Sequence, residues 1–570
     1  MLGNLESLLL APNFTRMNYK PIPVFKIIII LFNFCILLQT IGKAQPKTIF
    51  LSSSGNDNND GLTIKSAWKS LNKINSIDFK QGDSIKLEGG SIFNGSIQLT
   101  SNDNGSTRHP LILTSFGKGK AIVNGGKGEA IFAVNSSNIK ITSIVFKGDG
   151  VEYNKGNGIH FYSDDSINAP GNINVNDCEV SGFSGFGILF GCDDNLSVKG
   201  FNNVQITHTN VTENGQGGIS SYGSYLSYQH SNFYIAWCKA FRNQGIVVET
   251  KNHTGNGIVM AQVNGLLIEH CEAYENGVDN RSTAGGPVGI WVWMCNNALI
   301  QYCSSHHNYA GVTKDGGGFD IDGGSSNCIV QYNLSYNNEG AGYLLAEFGA
   351  ALPFTNNVIR FNASVNDGRK NGYGAITLWG VNSAHRVTNT DVYNNTIYVD
   401  DKSIVNGTPA AINLIGRHFE NVVIANNIFV TNGNVNIFYS DTNIERSSCW
   451  LLNNNYYSYS SQYSLVCGKT KFTSVKNWMD KNDEQENLGS KRTYHIVDPL
   501  FISKEFTKSV SAADPRQPID INNFALHKNS PLKKSKLLLM EHFKISLNTV
   551  DYCNNYLPKD GFVTPGICVD

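Results

Sequence analysis

The sequence predicts an all-β chain folded as a right-handed parallel β-helix, a solenoid of short strands. Three observations carry that prediction. First, one short pattern returns nine times between Cys178 and Asn427: an apolar residue, two others, then Cys, Thr or Asn, as in Ile235-Ala236-Trp237-Cys238 and Ile300-Gln301-Tyr302-Cys303. The last residues of successive instances stand 29–33 residues apart, the period of stacked supersecondary units that share one continuous core. Second, each repeat carries another short strand with period-two character, such as Gly257-Ile258-Val259-Met260, Gly289-Ile290-Trp291-Val292 and Gly318-Phe319-Asp320-Ile321. Third, Gly (56 residues) and Asn are abundant while Pro is modest at 15, which suits a turn-rich β structure. Helical repeats would need apolar residues at three-four spacing, and these segments do not have it.

Along the chain, Lys20 and Lys26 precede the apolar run Ile27 to Leu38, and Gly42-Lys43-Ala44 supplies small residues. This reads as a secretory signal peptide over residues 1–44, cut after Ala44, with Met17 an alternative start. The apolar core is short for a membrane span. Residues 45–125 form an N-terminal cap and first coils. Thr48 to Leu51 is strand-like, and Trp68, Leu71 and Ile74 share one face of a short helix that could cover the open end of a solenoid. Residues 126–435 form the β-helix proper, and residues 436–570 lose the repeat and make C-terminal coils and a cap.

The 570 residues are ample for a large core. A net charge of −1 with 16% charged residues argues against a broad basic surface for nucleic acid. Of twelve cysteines, Cys178, Cys238, Cys271 and Cys303 occupy the repeat position where later coils place Asn, so they read as small stacked core residues. Cys449 with Cys467 and Cys553 with Cys568 are candidate disulfides of an exported protein. No Cys-x-x-Cys pair exists, which argues against a thiolate zinc site.

The repeat also works as a coordinate system. Side chains alternate faces along a strand, so aligned strands present outward pairs Val259/Ala261, Trp291/Trp293, Asp320/Asp322, Leu344/Ala346 and Thr377/Trp379. Two carboxylates are therefore expected beside two outward tryptophans, with Trp379 two coils along. Aromatic faces stack on pyranose rings while carboxylates take their hydroxyls. Asp320 and Asp322, roughly 6.5–7 Å apart along one strand, suit a general acid and base with room for water, the inverting geometry of a glycoside hydrolase. Like charges this close raise one pKa, as a general acid requires. Glu347 is a candidate third acid, with a turn role as its alternative. His306 and His307 are candidate substrate contacts, with solvated turn positions as theirs. Asn337, Asn338 and Glu339 belong to the turn of the next coil and could line the same cleft.

A second chemistry fits the segment Lys314-Asp315-Gly316-Gly317-Gly318. Asp315, Asp320 and Asp322 could chelate Ca²⁺ with Lys314 as base, which would make a lyase acting on a uronate-containing glycan. The hydrolase reading needs no cofactor. A third reading keeps the tryptophans and drops catalysis, leaving a glycan-binding surface protein.

The stretch Phe50 to Asp57, continuing through Trp68 and Gly82-Asp83, resembles openings common in the pectate-lyase-like β-helix superfamily of secreted carbohydrate-active proteins. So does Asp498-Pro499-Leu500-Phe501 followed by Phe524 to Leu532. The resemblance covers most of residues 47–530 and implies action on a polysaccharide or oligosaccharide; the signal peptide implies export to the periplasm, cell surface or medium, and a monomer is expected. It does not extend to polygalacturonase motifs or to the arginine base of typical pectate lyases, so neither activity carries over.

Overall fold

The structure, a computed structural model, describes residues 45–503, 524–538, 543 and 549–569; the expected signal peptide lies outside the described residues. Lys47–Asp570 form one unit. Its strands stack into three sheets of 14, 14 and 13 strands, parallel except for Thr470–Phe472, which ends the second sheet antiparallel, and each coil gives one strand to each sheet. The fold is a parallel β-solenoid of about 12 turns.

The nine repeated apolar positions form one in-register row. Val175, Ile206, Ile235, Ile268, Ile300, Val330, Ile359, Val392 and Ile424 pair each with the next, and all are buried. Identical registers bring like side chains together on successive coils, so one packing solution is repeated along the axis. The residue before each repeat's last position adopts a left-handed backbone, from Asp177 (φ 52°) through Trp237 (φ 52°) to Phe361 (φ 51°), a conformation that bulky residues resist. Stacking offsets that resistance. His208, Trp237, His270, Tyr302, Tyr332 and Phe361 form a column with ring centroids 5.1–5.8 Å apart.

The next residue completes the turn. Cys178, Cys238, Cys271 and Cys303 are buried free thiols, and the Cys303 amide donates to Asn333 Oδ1 at 2.9 Å. From there Asn333, Asn362, Asn395, Asn427 and Asn454 form a ladder in which each side-chain oxygen accepts from the backbone N–H of the coil before, at 2.9–3.0 Å. A second ladder, Asn214, Asn243, Asn276, Asn308, Asn338 and Asp367, runs along another corner. Asn338 is buried there and does not reach the cleft.

The ends differ in detail from expectation. The N-terminal helix is only Leu71–Ile74, and Trp68 instead bridges to Leu51 in extended backbone; all three apolar residues of the expected face are buried. At the other end the helix Val475–Lys481 closes the barrel, with Trp478 4.5 Å from Phe438. The segment 549–569 packs against the aromatic turn column, where Asn394 and Asn426 donate to Thr564 O at 2.9 Å. Cys553 and Cys568 form a disulfide. Cys449 and Cys467 do not: both are buried free thiols on different sheets, which corrects that pairing.

Candidate active site

The expected coordinate system holds residue for residue. Val259, Trp291, Asp320, Leu344 and Thr377 are successive partners in one row. Ala261, Trp293, Asp322, Ala346 and Trp379 are successive partners in the next. Over this face lies a cleft of about 280 Å³ lined by Trp291, Lys314, Asp315, Asp320, Asp322 and Trp379, together with His253, Gly286 and Phe348.

The three aspartates have different surroundings. Asp320 is 3% exposed and its Oδ1 has no hydrogen-bond partner. Burial, with the charges of Asp322 and then Asp315, holds its carboxyl well above the usual range. Asp322 is less enclosed, and its Oδ1 accepts from Gly323 N at 2.9 Å. Burial, with Asp315 and Glu347 nearby, pushes it up to about 8 against the opposing pull of the Gly323 amide and the Lys314 ammonium. Asp315 is the oriented one. Its Oδ2 accepts from Gly286 N at 2.7 Å and its Oδ1 from the Tyr373 hydroxyl at 2.7 Å. Gly286 is there for close approach: a Cβ would meet Lys314 O at 1.8 Å.

The tryptophans divide. Trp291 is not solvent-facing: it is 4% exposed, packs with Val259 and Val288, and donates Nε1 to Asn256 Oδ1 at 3.1 Å. His253 covers it, ring centroids 5.5 Å apart, so Trp291 walls the cleft and its face is not open. Burial holds the His253 imidazole below its ordinary pKa, against the charge of Asp315 and a hydrogen bond to Asn256. Trp379 lies under the Lys314 ammonium at 5.4 Å. Trp293 opens into a neighbouring hollow beside Tyr225.

Three other candidates sit elsewhere. Glu347 is fully buried, and its carboxylate accepts from the backbone amides of Gly324, Gly349 and Ala350, fastening a turn. His306 and His307 belong to or flank the Ser304–His306 strand of the 13-stranded sheet. His306 stacks between Tyr274 and Tyr336, at 5.1 and 4.4 Å, and neither histidine lines the cleft.

Both Asp315 oxygens are occupied by protein donors. Among the described residues no three His, Cys, Asp or Glu side chains gather closely enough to hold an ion.

A family model described as "right handed beta helix region" matches residues 166–397. The match agrees with the parallel β-solenoid of stacked coils. Among curated proteins it is 25% identical to lacto-N-biosidase from Bifidobacterium longum subsp. longum, in a match covering 71% of this chain. It spans only 29% of that relative's length. Solved structures that resemble it include the GH136 lacto-N-biosidase from Eubacterium ramulus (18% identity, 68% of each chain, TM-score 0.49) and pectate lyase Pel9A (12% identity, 86% of this chain and 92% of that one, TM-score 0.39). Among the described residues no helix is long and apolar enough to cross a membrane.

His253, Tyr373 and Phe348 were not anticipated from the sequence. His253 lies in one of the longest repeat intervals, between Cys238 and Cys271, and that extra length is the only signal it gave. Tyr373 sits between two glycines just before a strand, a pattern too common to single it out.

Proposed function

We propose that this protein is a glycoside hydrolase acting on an oligosaccharide or polysaccharide outside the cytoplasm. The observation that carries the reading is the convergence of three aspartates in unlike environments on one tryptophan-walled cleft. A glycosidase needs one carboxyl that keeps its proton at neutral pH and one that is free to accept or attack. Asp322, raised to about 8, is the proton donor to the leaving oxygen. Asp320 was the partner expected along the same strand. Its deep burial raises its carboxyl well above the usual range, and its Oδ1 has no partner, so we give it a binding role towards a sugar hydroxyl. Asp315 takes the second catalytic role, its carboxylate aimed by Gly286 N–H and the Tyr373 hydroxyl. Trp379 offers a ring for stacking, and Lys314 above it supplies positive charge to the cleft. The curated relative bears the name of an oligosaccharide-cleaving hydrolase, which favours this reading over the uronate lyase and over a non-catalytic glycan binder.

The test is mass spectrometry of products after incubating the chain from Gln45 with plant, algal and host glycans. Fragments carrying one added water, lost in Asp322→Asn and Asp315→Asn, support hydrolysis. Unsaturated fragments that disappear with a chelator would replace it by the lyase.

A further inference from the structure

His253 reaches the cleft from the segment between the strands Lys239–Phe241 and Asn256–Ala261. The hydrogen bonds behind it fix which of its two ring nitrogens carries the proton. Asn256 is the reference. Its Oδ1 accepts from the Trp291 indole at 3.1 Å and from Val288 N at 3.4 Å. An indole N–H and a backbone N–H can only donate, so that end of the amide is the oxygen. The other end, Nδ2, is the donor end. It lies 3.2 Å from Gln216 O, which can only accept, and 3.3 Å from His253 Nδ1. His253 Nδ1 therefore accepts, and the neutral ring holds its proton on Nε2.

Nε2 is the end that faces the cleft without a partner. Among the described residues it meets no acceptor. The neighbouring Cδ2 borders Gly285, where a Cβ would stand 3.6 Å away in ordinary contact, and Gly285 also lines the cleft. The charge of Asp315 acts on the ring, so His253 stands close to that carboxylate. Both Asp315 oxygens already have donors in Gly286 N–H and the Tyr373 hydroxyl. Water can serve the His253 N–H while the cleft is open. A sugar that expels this water has to bring an oxygen in its place or lose affinity.

We infer that His253 is a substrate-contacting residue, a neutral imidazole that donates Nε2–H to an oxygen of the sugar held at Asp315. Asn256 is the positioning residue that keeps the ring in this form. The inference rests on the glycosidase reading for the place of Asp315, while the tautomer and the contact need no turnover. The ring acts as a donor only: its one lone pair is taken by Asn256, so it is not the base.

The test begins with long-range ¹H–¹⁵N spectra of the full-length Asp322→Asn protein labelled at histidine, with His253 assigned by its loss in His253→Gln. At pH 7 the ring is expected to show a bare Nδ1 and a protonated Nε2, and Asn256→Leu to let it populate both tautomers. Cellobiose, lactose, xylobiose, mannobiose and N,N′-diacetylchitobiose are then added in turn, and at least one is expected to shift the His253 Nε2 signal. On a glycan that the unmutated protein cleaves, His253→Leu should lower kcat/KM about 5- to 50-fold. His253→Gln, whose amide N–H can reach the place of Nε2, should regain most of that loss, with the two melting temperatures alike. A ring protonated on Nδ1, a signal that none of these disaccharides moves, or a Gln variant no better than Leu would each overturn the contact. A shifted signal without cleavage of any glycan removes only the hydrolase, and cleavage with an unmoved signal removes only the contact.

Discussion

Replacing Asp322 by Asn gives the sharpest test of the site's electrostatics. Asn copies the shape of the neutral acid and keeps an oxygen for the Gly323 amide, which donates to Asp322 Oδ1 at 2.9 Å. The folded protein raises this carboxyl from 3.8 to about 8, so ionising it there is about 6 kcal/mol harder than in the unfolded chain. Its partial exposure to water reduces that to about 2–4 kcal/mol. The sign follows from proton uptake. Between the unfolded and folded values the folded state holds a proton that the unfolded state has lost, so stability falls as pH rises through that window. The contribution is fully present below about pH 4 and is gone once pH passes about 8. Urea unfolding of parent and Asp322→Asn proteins at pH 5 and pH 8.5 measures it, because contributions shared by the two proteins cancel in the comparison. The parent is expected to lose about 1.5–3 kcal/mol relative to the variant over that interval. Parallel losses in the two proteins would mean that Asp322 is an ordinary solvated carboxylate, and its assignment as proton donor would fall with that result.

The other predictions concern neighbouring parts of the molecule. Turnover on a cleaved glycan should decline as pH rises through about 8, where Asp322 loses its proton, and a pH–rate profile checks it. Tyr373→Phe removes the hydroxyl that Asp315 accepts; kcat should fall about 10- to 100-fold with KM and melting temperature little changed. Asn362→Ala strips partners from the Asn333 backbone N–H and side-chain amide, and unfolding should become easier by about 2–4 kcal/mol on urea titration. Gly286→Ala should abolish activity while leaving far-ultraviolet circular dichroism unchanged, since its Cβ would collide with Lys314 O at 1.8 Å.

The register was legible because its signal is local and repeated. A strand period of two and a coil of 29–33 residues leave one way to align Trp291, Asp320, Leu344 and Thr377, and the observed pairing follows that alignment. The Cys-to-Asn ladder was legible for the same reason. For Glu347 the turn reading holds: it stands one residue beyond the aligned outward position, where the strand gives way to a turn that takes up its carboxylate. His306 and His307 follow a different strand of the coil, and adjacency in sequence does not place two strands of one coil on the same sheet.

Sequence by itself determined the solenoid, the coil length, and which side chains of one sheet share its outer face, because each of those depends on spacing within a few dozen residues. Only the tertiary structure decided what lies over that face. His253 comes from a loop between coils and covers Trp291. Tyr373 reaches Asp315 from 58 residues away. Burial of Asp320 and the rise of Asp322 depend on that cover, since a carboxyl's proton affinity is set by the water and charges around it and not by its own place in the chain.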